Sequence, residues 1–193
     1  MVEFQSNASI VILILFIALL ISRALLLRRK GIKVLLFGKT DKSDFLLVVV
    51  ILLLIYPAVA KAADLPVWDL LVTPFWETPA PGWAGLAFCA AALVGFGASL
   101  KSFGDSLRVG LDVEKPGRLV TGGMFAVSRN PLYMCFILFC AGMFLVHRNI
   151  VAVAAVVVIT LAVHRQILRE EAFLKKHYGA EYEDYCKRVR RYL

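Results

Sequence analysis

Residues 131–168 read PLYMCFILFCAGMFLVHRNIVAVAAVVVITLAVHRQIL, and this stretch decides the fold. Two apolar runs, 131–146 and 150–168, are separated only by His147, Arg148 and Asn149. A membrane-crossing helix needs about 20 predominantly apolar residues. The first run is short for a full crossing at about 1.5 Å per residue, and the second is long enough. So short a connection predicts a tight antiparallel helical hairpin within a membrane.

The composition of the whole chain agrees with this hairpin. Of its 193 residues, 60% are hydrophobic, whereas about 45–50% is usual for a soluble domain. A chain of this length cannot bury that excess in one water-surrounded core, so a soluble enzyme is excluded. Disorder is excluded as well, because it requires low hydrophobicity. The four cysteines show neither a CxxC pair nor zinc-finger spacing, so no metal site is predicted.

Outward from the hairpin, three further apolar runs complete an all-α, polytopic membrane protein with about five transmembrane helices. They cover residues 9–27, 45–63 and 83–100. We divide the chain into an N-terminal two-helix region with an outer interfacial loop (1–81) and a core of three membrane helices, a loop and a tail (82–193).

The net charge of +8 lies on one face of this arrangement. With five alternating spans, the segments 28–42, 101–130 and 164–193 share a side and hold 19 of the 22 Lys and Arg residues. Cytoplasmic loops carry the excess of Lys and Arg, so we expect the N-terminus outside and the C-terminus inside. The charge is therefore not a nucleic-acid footprint. Arg148 falls on the opposite face, where its substitution should matter little.

The cytoplasmic tail should form a helix, a break and a second helix. Residues 166–177 are charged and amphipathic, Tyr178-Gly179 forms a plausible C-cap, and residues 180–189 continue as a short helix. The tail is long enough to fold back over the membrane face.

Four places on or near this face carry candidate chemistry. Residues 128–133, SRNPLY, bring an arginine, an amide and a phenol to a helix entrance; the plainer interpretation is a helix start with Asn130 as N-cap and Pro131 at N1. Glu170 and Glu171 end the last span; the plainer interpretation is an i,i+4 pair of Glu171 with Lys175.

The other two places are rich in glycine. Gly95-Phe96-Gly97 lies within a membrane helix, where a face of small residues ordinarily means close helix packing. The connection 101–128 holds five glycines and exceeds the length of an ordinary connector, which favours a function over a flexible loop.

These places occur in an order that resembles the isoprenylcysteine carboxyl methyltransferase and phospholipid methyltransferase superfamily of integral membrane enzymes. The resemblance covers about residues 90–191. It rests on Gly95-Phe96-Gly97, on GRLVTGGMF at 117–125, on SRNPLY at 128–133, and on EEAFL at 170–174 with the terminal YG, Tyr182, Tyr185 and VRR.

The resemblance implies methyl transfer from S-adenosylmethionine to a lipid-like or hydrophobic acceptor that enters from the bilayer, such as an isoprenylcysteine carboxylate or a phospholipid amine. No metal is required. It implies catalytic roles for Arg129, Tyr133 and Glu170. The implied cofactor-binding residues are Gly95, Gly97, Leu119, Val120, Arg129, Asn130, Pro131, Tyr133, Glu170 and Glu171.

Three positions depart from the superfamily pattern: Gly117, Phe125 and Asn130 stand where His, Tyr and His are common. These departures keep two alternatives open. One is a relative that binds lipid or cofactor without catalysis, and the other is an NADPH-dependent membrane reductase of similar architecture.

Overall fold

The computed structural model describes residues 2–29, 63–104 and 119–193, together with positions 52, 56, 57, 59 and 60. Within these residues the regular structure is helical and no strand occurs, which confirms the predicted all-α class. The helices are α1 (Val2–Arg29), α2 (Asp69–Val72), α3 (Ala80–Phe103), α4 (Pro131–His147), α5 (Ile150–Tyr178) and α6 (Ala180–Arg188), with one 3₁₀ turn (Gly123–Ala126) before α4.

Three of these helices are long and apolar enough to cross a membrane: Glu3–Arg29, Ala80–Phe103 and Ile150–Tyr178. Helix α4 is equally apolar but has 17 residues, as its short sequence run predicted. The predicted span 45–63 lies mostly outside the described residues. The count of five spans therefore stays a prediction.

Helices α1 and α3 run side by side in the same direction. Phe4 lies 5.8 Å from Trp83 between ring centroids, Phe16 stacks on Phe96 at 4.1 Å, and Arg23 donates from Nη2 to the carbonyl of Gly104. Residue numbers at these contacts increase along both helices, which shows that α1 and α3 are parallel. It follows that Arg29 and Ala80 lie at opposite ends of the bundle.

Helices α3 and α4 are antiparallel and approach each other closely through glycines. A Cβ placed on Gly85 would lie 2.6 Å from the carbonyl oxygen of Gly142, and a Cβ on Gly142 would lie 2.6 Å from Cys89 Sγ. Further along, a Cβ on Gly95 would lie 2.8 Å from Cys135 Sγ. Small residues let membrane helices pack at such short range.

The predicted hairpin is confirmed, since only Arg148 and Asn149 separate α4 from α5. Arg148 adopts a left-handed conformation with φ of 55°, and Asn149 Oδ1 caps α5 by accepting from Ala152 N at 2.7 Å. Arg148 is 4% exposed, its side chain donates to the carbonyl of Thr78, and its own carbonyl accepts from Phe75 N at 2.7 Å. Arg148 thus holds the 73–79 segment with its side chain and its backbone, so we expect its substitution to lower stability; that it matters little for activity stays a prediction.

The tail forms the predicted helix, break and helix, with one difference in extent. The last span and the amphipathic segment 166–177 form a single uninterrupted helix of 29 residues, α5. It ends at Gly179, whose φ of 53° is a conformation that a residue without Cβ adopts readily. The chain then reverses into α6.

Candidate functional site

The entrance of α4 carries the first part of the site. Asn130 occupies the N-cap position and Pro131 follows at N1, as the plainer interpretation expected. The Asn130 side chain makes no capping bond; instead Nδ2 donates to Glu171 Oε1 at 3.3 Å and to the carbonyl of Arg191 at 3.1 Å. Asn130 is therefore turned away from its own helix and towards α5 and the tail.

Glu171 is held between two guanidinium groups. Arg129 donates to its Oε1 from Nη2 at 3.0 Å and from Nε at 3.2 Å, and Arg191 donates to its Oε2 from Nη2 at 2.8 Å and from Nε at 2.9 Å. The Glu171 and Arg129 side chains are 11% and 12% exposed, and that of Arg191 is 38% exposed. Two-pronged pairs of this kind are strong charge-assisted contacts. The hydrogen bond with Glu171 raises the pKa of Arg191 above its ordinary value.

The simple i,i+4 pairing of Glu171 with Lys175 is thus wrong. Lys175 pairs with Glu183 of α6 at 3.1 Å, and both side chains of that pair are exposed. Glu171 instead pairs with Arg129 at the entrance of α4 and with Arg191 in the tail, and its side chain is largely buried between them.

Glu170 faces a different neighbour. The Tyr133 hydroxyl donates to Glu170 Oε1 at 2.6 Å, and Gln166 Nε2 donates to the same oxygen at 2.9 Å. Adjacent helical positions point about 100° apart, which explains how the two glutamates separate. Both of these partners are neutral, whereas Glu171 is matched by two cations.

The tail is docked on the 125–130 segment by backbone and side-chain bonds. The Tyr185 hydroxyl donates to the carbonyl of Phe125 at 2.6 Å, Arg129 N donates to the carbonyl of Arg190 at 3.0 Å, and Arg129 Nη1 donates to the carbonyl of Val189 at 3.2 Å. Burial raises the pKa of Tyr185 to about 12, so its hydroxyl stays a donor well above neutral pH. His164 of α5 also contacts the Tyr192 hydroxyl.

The structure brings together five of the predicted site residues: Arg129, Asn130, Tyr133, Glu170 and Glu171. We call these five, with Arg191 and Gln166, the polar cluster. Pro131 is buried at the start of α4, beside this cluster in sequence.

The remaining predicted site residues lie elsewhere or at the margin. Leu119 packs against the buried tail residues Tyr182, Tyr185 and Val189, and Val120 beside it is half-buried. Gly95 packs on Cys135 of α4, and Gly97 faces Leu19 of α1. Gly117 lies outside the described residues.

Two members of the polar cluster were not singled out from the sequence. Arg191 stood within the terminal VRR but had no assigned role, since its partner is 20 residues away across a helix break. Gln166 could have been found, because it lies one helical turn before Glu170 at i,i+4 spacing.

Fold and site together define a class of protein. In the described part of the chain, three helices have membrane-crossing length, and a charged cluster lies near the start of α4 and the end of α5. These features indicate a helical integral membrane protein with a polar site at one end of its bundle.

The family model of phospholipid methyltransferases matches residues 81–181, more than half of the 193-residue chain. The chain therefore belongs to the phospholipid methyltransferase family, within the integral membrane methyltransferase superfamily. A search of curated proteins found no significant match. Family membership implies methyltransferase activity in general, and the match includes Arg129, Tyr133 and both glutamates.

Proposed function

We propose that this protein transfers a methyl group from S-adenosylmethionine to a lipid-like acceptor at the cytoplasmic end of its helix bundle. The observation that carries the proposal is the polar cluster, which lies inside the family match apart from Arg191. When bound, S-adenosylmethionine supplies an electrophilic methyl group on a sulfonium.

The chemistry of the polar cluster fits such a methyl donor. The donor carries a cationic ammonium and sulfonium together with a carboxylate, so its site needs an anionic group and a guanidinium close together. Glu170 is a half-buried carboxylate whose described partners, Tyr133 and Gln166, are neutral. A carboxylate at a membrane boundary is costly unless a cation or water faces it. Glu170 is therefore the group that we assign to the cationic part of the donor.

Glu171 has a different role in this proposal. Both of its oxygens already accept from arginines, so Glu171 orients Arg129 and Arg191. We assign the donor carboxylate to these guanidinium groups, with Arg191 the more exposed of the two at 38%. Arg129 also holds the backbone of the tail, so it combines binding with positioning.

The surroundings of the cluster serve alignment and exclusion of water. Direct methyl displacement depends mainly on the orientation of the reacting groups in a dry, shaped site. Tyr133 fixes the Glu170 carboxylate with a 2.6 Å bond, and the docked tail packs Tyr182, Tyr185 and Leu119 into an apolar wall. We assign the adenine of the donor to the side of this wall formed by Leu119 and Val120.

We infer a lipid-like acceptor because the polar cluster lies at the end of apolar helices, where a membrane lipid can reach it. An isoprenylcysteine carboxylate needs no base for methylation, whereas a phospholipid amine must first lose a proton. The family match favours a phospholipid amine.

The test is methyl transfer itself. The purified full chain is incubated with S-adenosylmethionine that carries a radiolabelled methyl group and with total membrane lipids, and the labelled product is identified by chromatography. We expect label in a lipid. Label in no lipid, with a protein that remains folded, would overturn the proposal. The matched variant is Glu170→Gln, which keeps the shape of the side chain, removes its charge and should transfer much less label than the wild type.

A further inference from the structure

A cavity of about 270 Å³ lies between α1 and α3, on the side of α3 that faces α1. Its walls are mostly apolar, and two cations stand in its lining. The lining consists of Leu19, Ser22, Arg23, Leu26, Gly97, Leu100 and Lys101. The described contacts of the polar cluster involve none of these residues.

Gly97 keeps this groove open. A Cβ on Gly97 would meet only Leu19 Cδ1, at 3.9 Å, which is ordinary van der Waals contact. Gly95, on the other side of the same helix, is packed on Cys135 and has no such space. The first glycine of the GFG motif thus serves helix packing, while the second leaves room beside α1.

The two cations lie near the same end of the helix bundle. Lys101 lies in the last turn of α3, and Arg23 lies six residues before the end of α1, about 9 Å along the helix. Arg23 is held there by its bond to the carbonyl of Gly104, at the C-cap of α3. Arg28 and Arg29 follow at the same end but do not line the groove, whose own basic residues are Arg23 and Lys101.

We propose that this groove binds one anionic phospholipid. Its phosphate lies between Arg23 and Lys101, and part of one acyl chain lies along Leu19, Gly97 and Leu100. The occupant follows from charge complementarity at the opening and from the apolar wall that continues into the bilayer. The volume is below the range of about 300–1,000 Å³ for drug-sized ligands, which suits a segment of a lipid whose remainder stays in the membrane. This site goes beyond the proposed methyl transfer and does not depend on it.

The test compares phosphatidylglycerol with phosphatidylcholine, titrated separately into the detergent-purified full chain and counted by native mass spectrometry. We expect wild-type protein to retain phosphatidylglycerol preferentially. In Arg23→Gln/Lys101→Gln the apparent dissociation constant for phosphatidylglycerol should rise roughly tenfold or more, because two charge-assisted contacts are lost. The control Arg28→Gln/Arg29→Gln removes the same charge from the same end outside the groove, and it should keep the preference.

A second pair of variants addresses the groove without altering charge and without touching the Arg23–Gly104 bond. Gly97→Leu fills the groove and should abolish the preference for phosphatidylglycerol. Val94→Leu adds a methylene at a position that is 73% exposed on the same helix and should leave it intact. Equal retention of both lipids by the wild type, or an unchanged preference in Gly97→Leu, would overturn the proposal. Neither measurement involves methyl transfer, so a failure here is distinct from a failure of the proposed activity.

Discussion

At the scale of single residues, the two neighbouring glutamates have different hydrogen-bond partners because they point in different directions from the same helix. Glu171 accepts from Arg129 and Arg191, whereas Glu170 accepts from Tyr133 and Gln166. The first glutamate of the pair thus keeps neutral partners, and the second is neutralised by the protein. In the proposed function, the first glutamate therefore offers its carboxylate to the cationic part of the methyl donor.

We predict that Glu170→Gln weakens transfer far more than Tyr133→Phe does. The glutamine removes the negative charge that attracts the donor, and we expect a loss of roughly 100-fold in kcat/KM, the equivalent of two tenfold steps. The phenylalanine removes a single hydrogen bond, and we expect a loss of roughly tenfold. Steady-state kinetics of both variants measures the ratio; equal losses would contradict separate roles for the two residues.

These residues also show what a sequence allows and what it does not. The SRNPLY and EE motifs located five members of the polar cluster, because each motif marks the entrance or end of a membrane helix. The pairing of Glu171 with Arg191 could not be read locally, since it depends on the chain reversal at Gly179. The expected pairing of Glu171 with Lys175 was wrong because Glu171 pairs instead with tertiary partners, and its pair with Arg129 is less exposed than the pair that Lys175 forms with Glu183.

At the scale of elements, the packing of α3 distinguishes its glycines. Gly85 meets the backbone of Gly142, Gly95 meets Cys135, and Gly97 faces a groove. The sequence indicated small-residue packing along this helix but not which glycine faced which neighbour, because that depends on where α1 and α4 lie around it.

Gly85→Ala and Gly97→Ala should therefore differ in stability. The Gly85 Cβ would lie 2.6 Å from a backbone oxygen that cannot move aside, so we expect a loss of about 1–3 kcal/mol. The Gly97 Cβ meets nothing closer than 3.9 Å, and alanine gains up to about 1 kcal/mol from helix propensity. Thermal unfolding in detergent measures both variants, and a more stable Gly85→Ala protein would contradict the packing described for α3 and α4.

The docking of α6 should weaken at high pH. Burial raises the pKa of the docked Tyr185 hydroxyl from its ordinary 10.0 to about 12. Because the undocked residue loses its proton first, stability conferred by this group is complete below pH 10 and is lost as pH rises towards 12. The tyrosinate absorbance of wild type minus that of Tyr185→Phe should titrate near 12; a midpoint near 10 would show that this hydroxyl is not buried.

At the scale of the whole molecule, Arg29 and Ala80 lie at opposite ends of the bundle, since α1 and α3 are parallel. The predicted span 45–63 would connect these two ends by one crossing, and the five-span topology stays a prediction. The division at residue 81 stays a prediction: the family match begins there, yet α1 packs Phe16 against Phe96 and Phe139 of the core.

We predict that the 63–79 loop and the tail lie on opposite sides of the membrane. Glu77 and Glu181 are both exposed, and a cysteine is placed at each in a Cys186→Ser background. In intact cells a membrane-impermeant thiol reagent should label Glu77→Cys. It should label Glu181→Cys only after the membrane is permeabilised, and labelling of both variants in intact cells would exclude an odd number of spans between them.

Binding of the methyl donor by the polar cluster is measured by isothermal titration of the detergent-purified protein with S-adenosylmethionine. We predict saturable binding to the wild type and binding to Glu170→Gln that is weaker by roughly tenfold or more, with unchanged thermal unfolding of the variant. Equal affinity in both proteins, or no binding by the wild type at millimolar donor, would show that the polar cluster does not bind the donor.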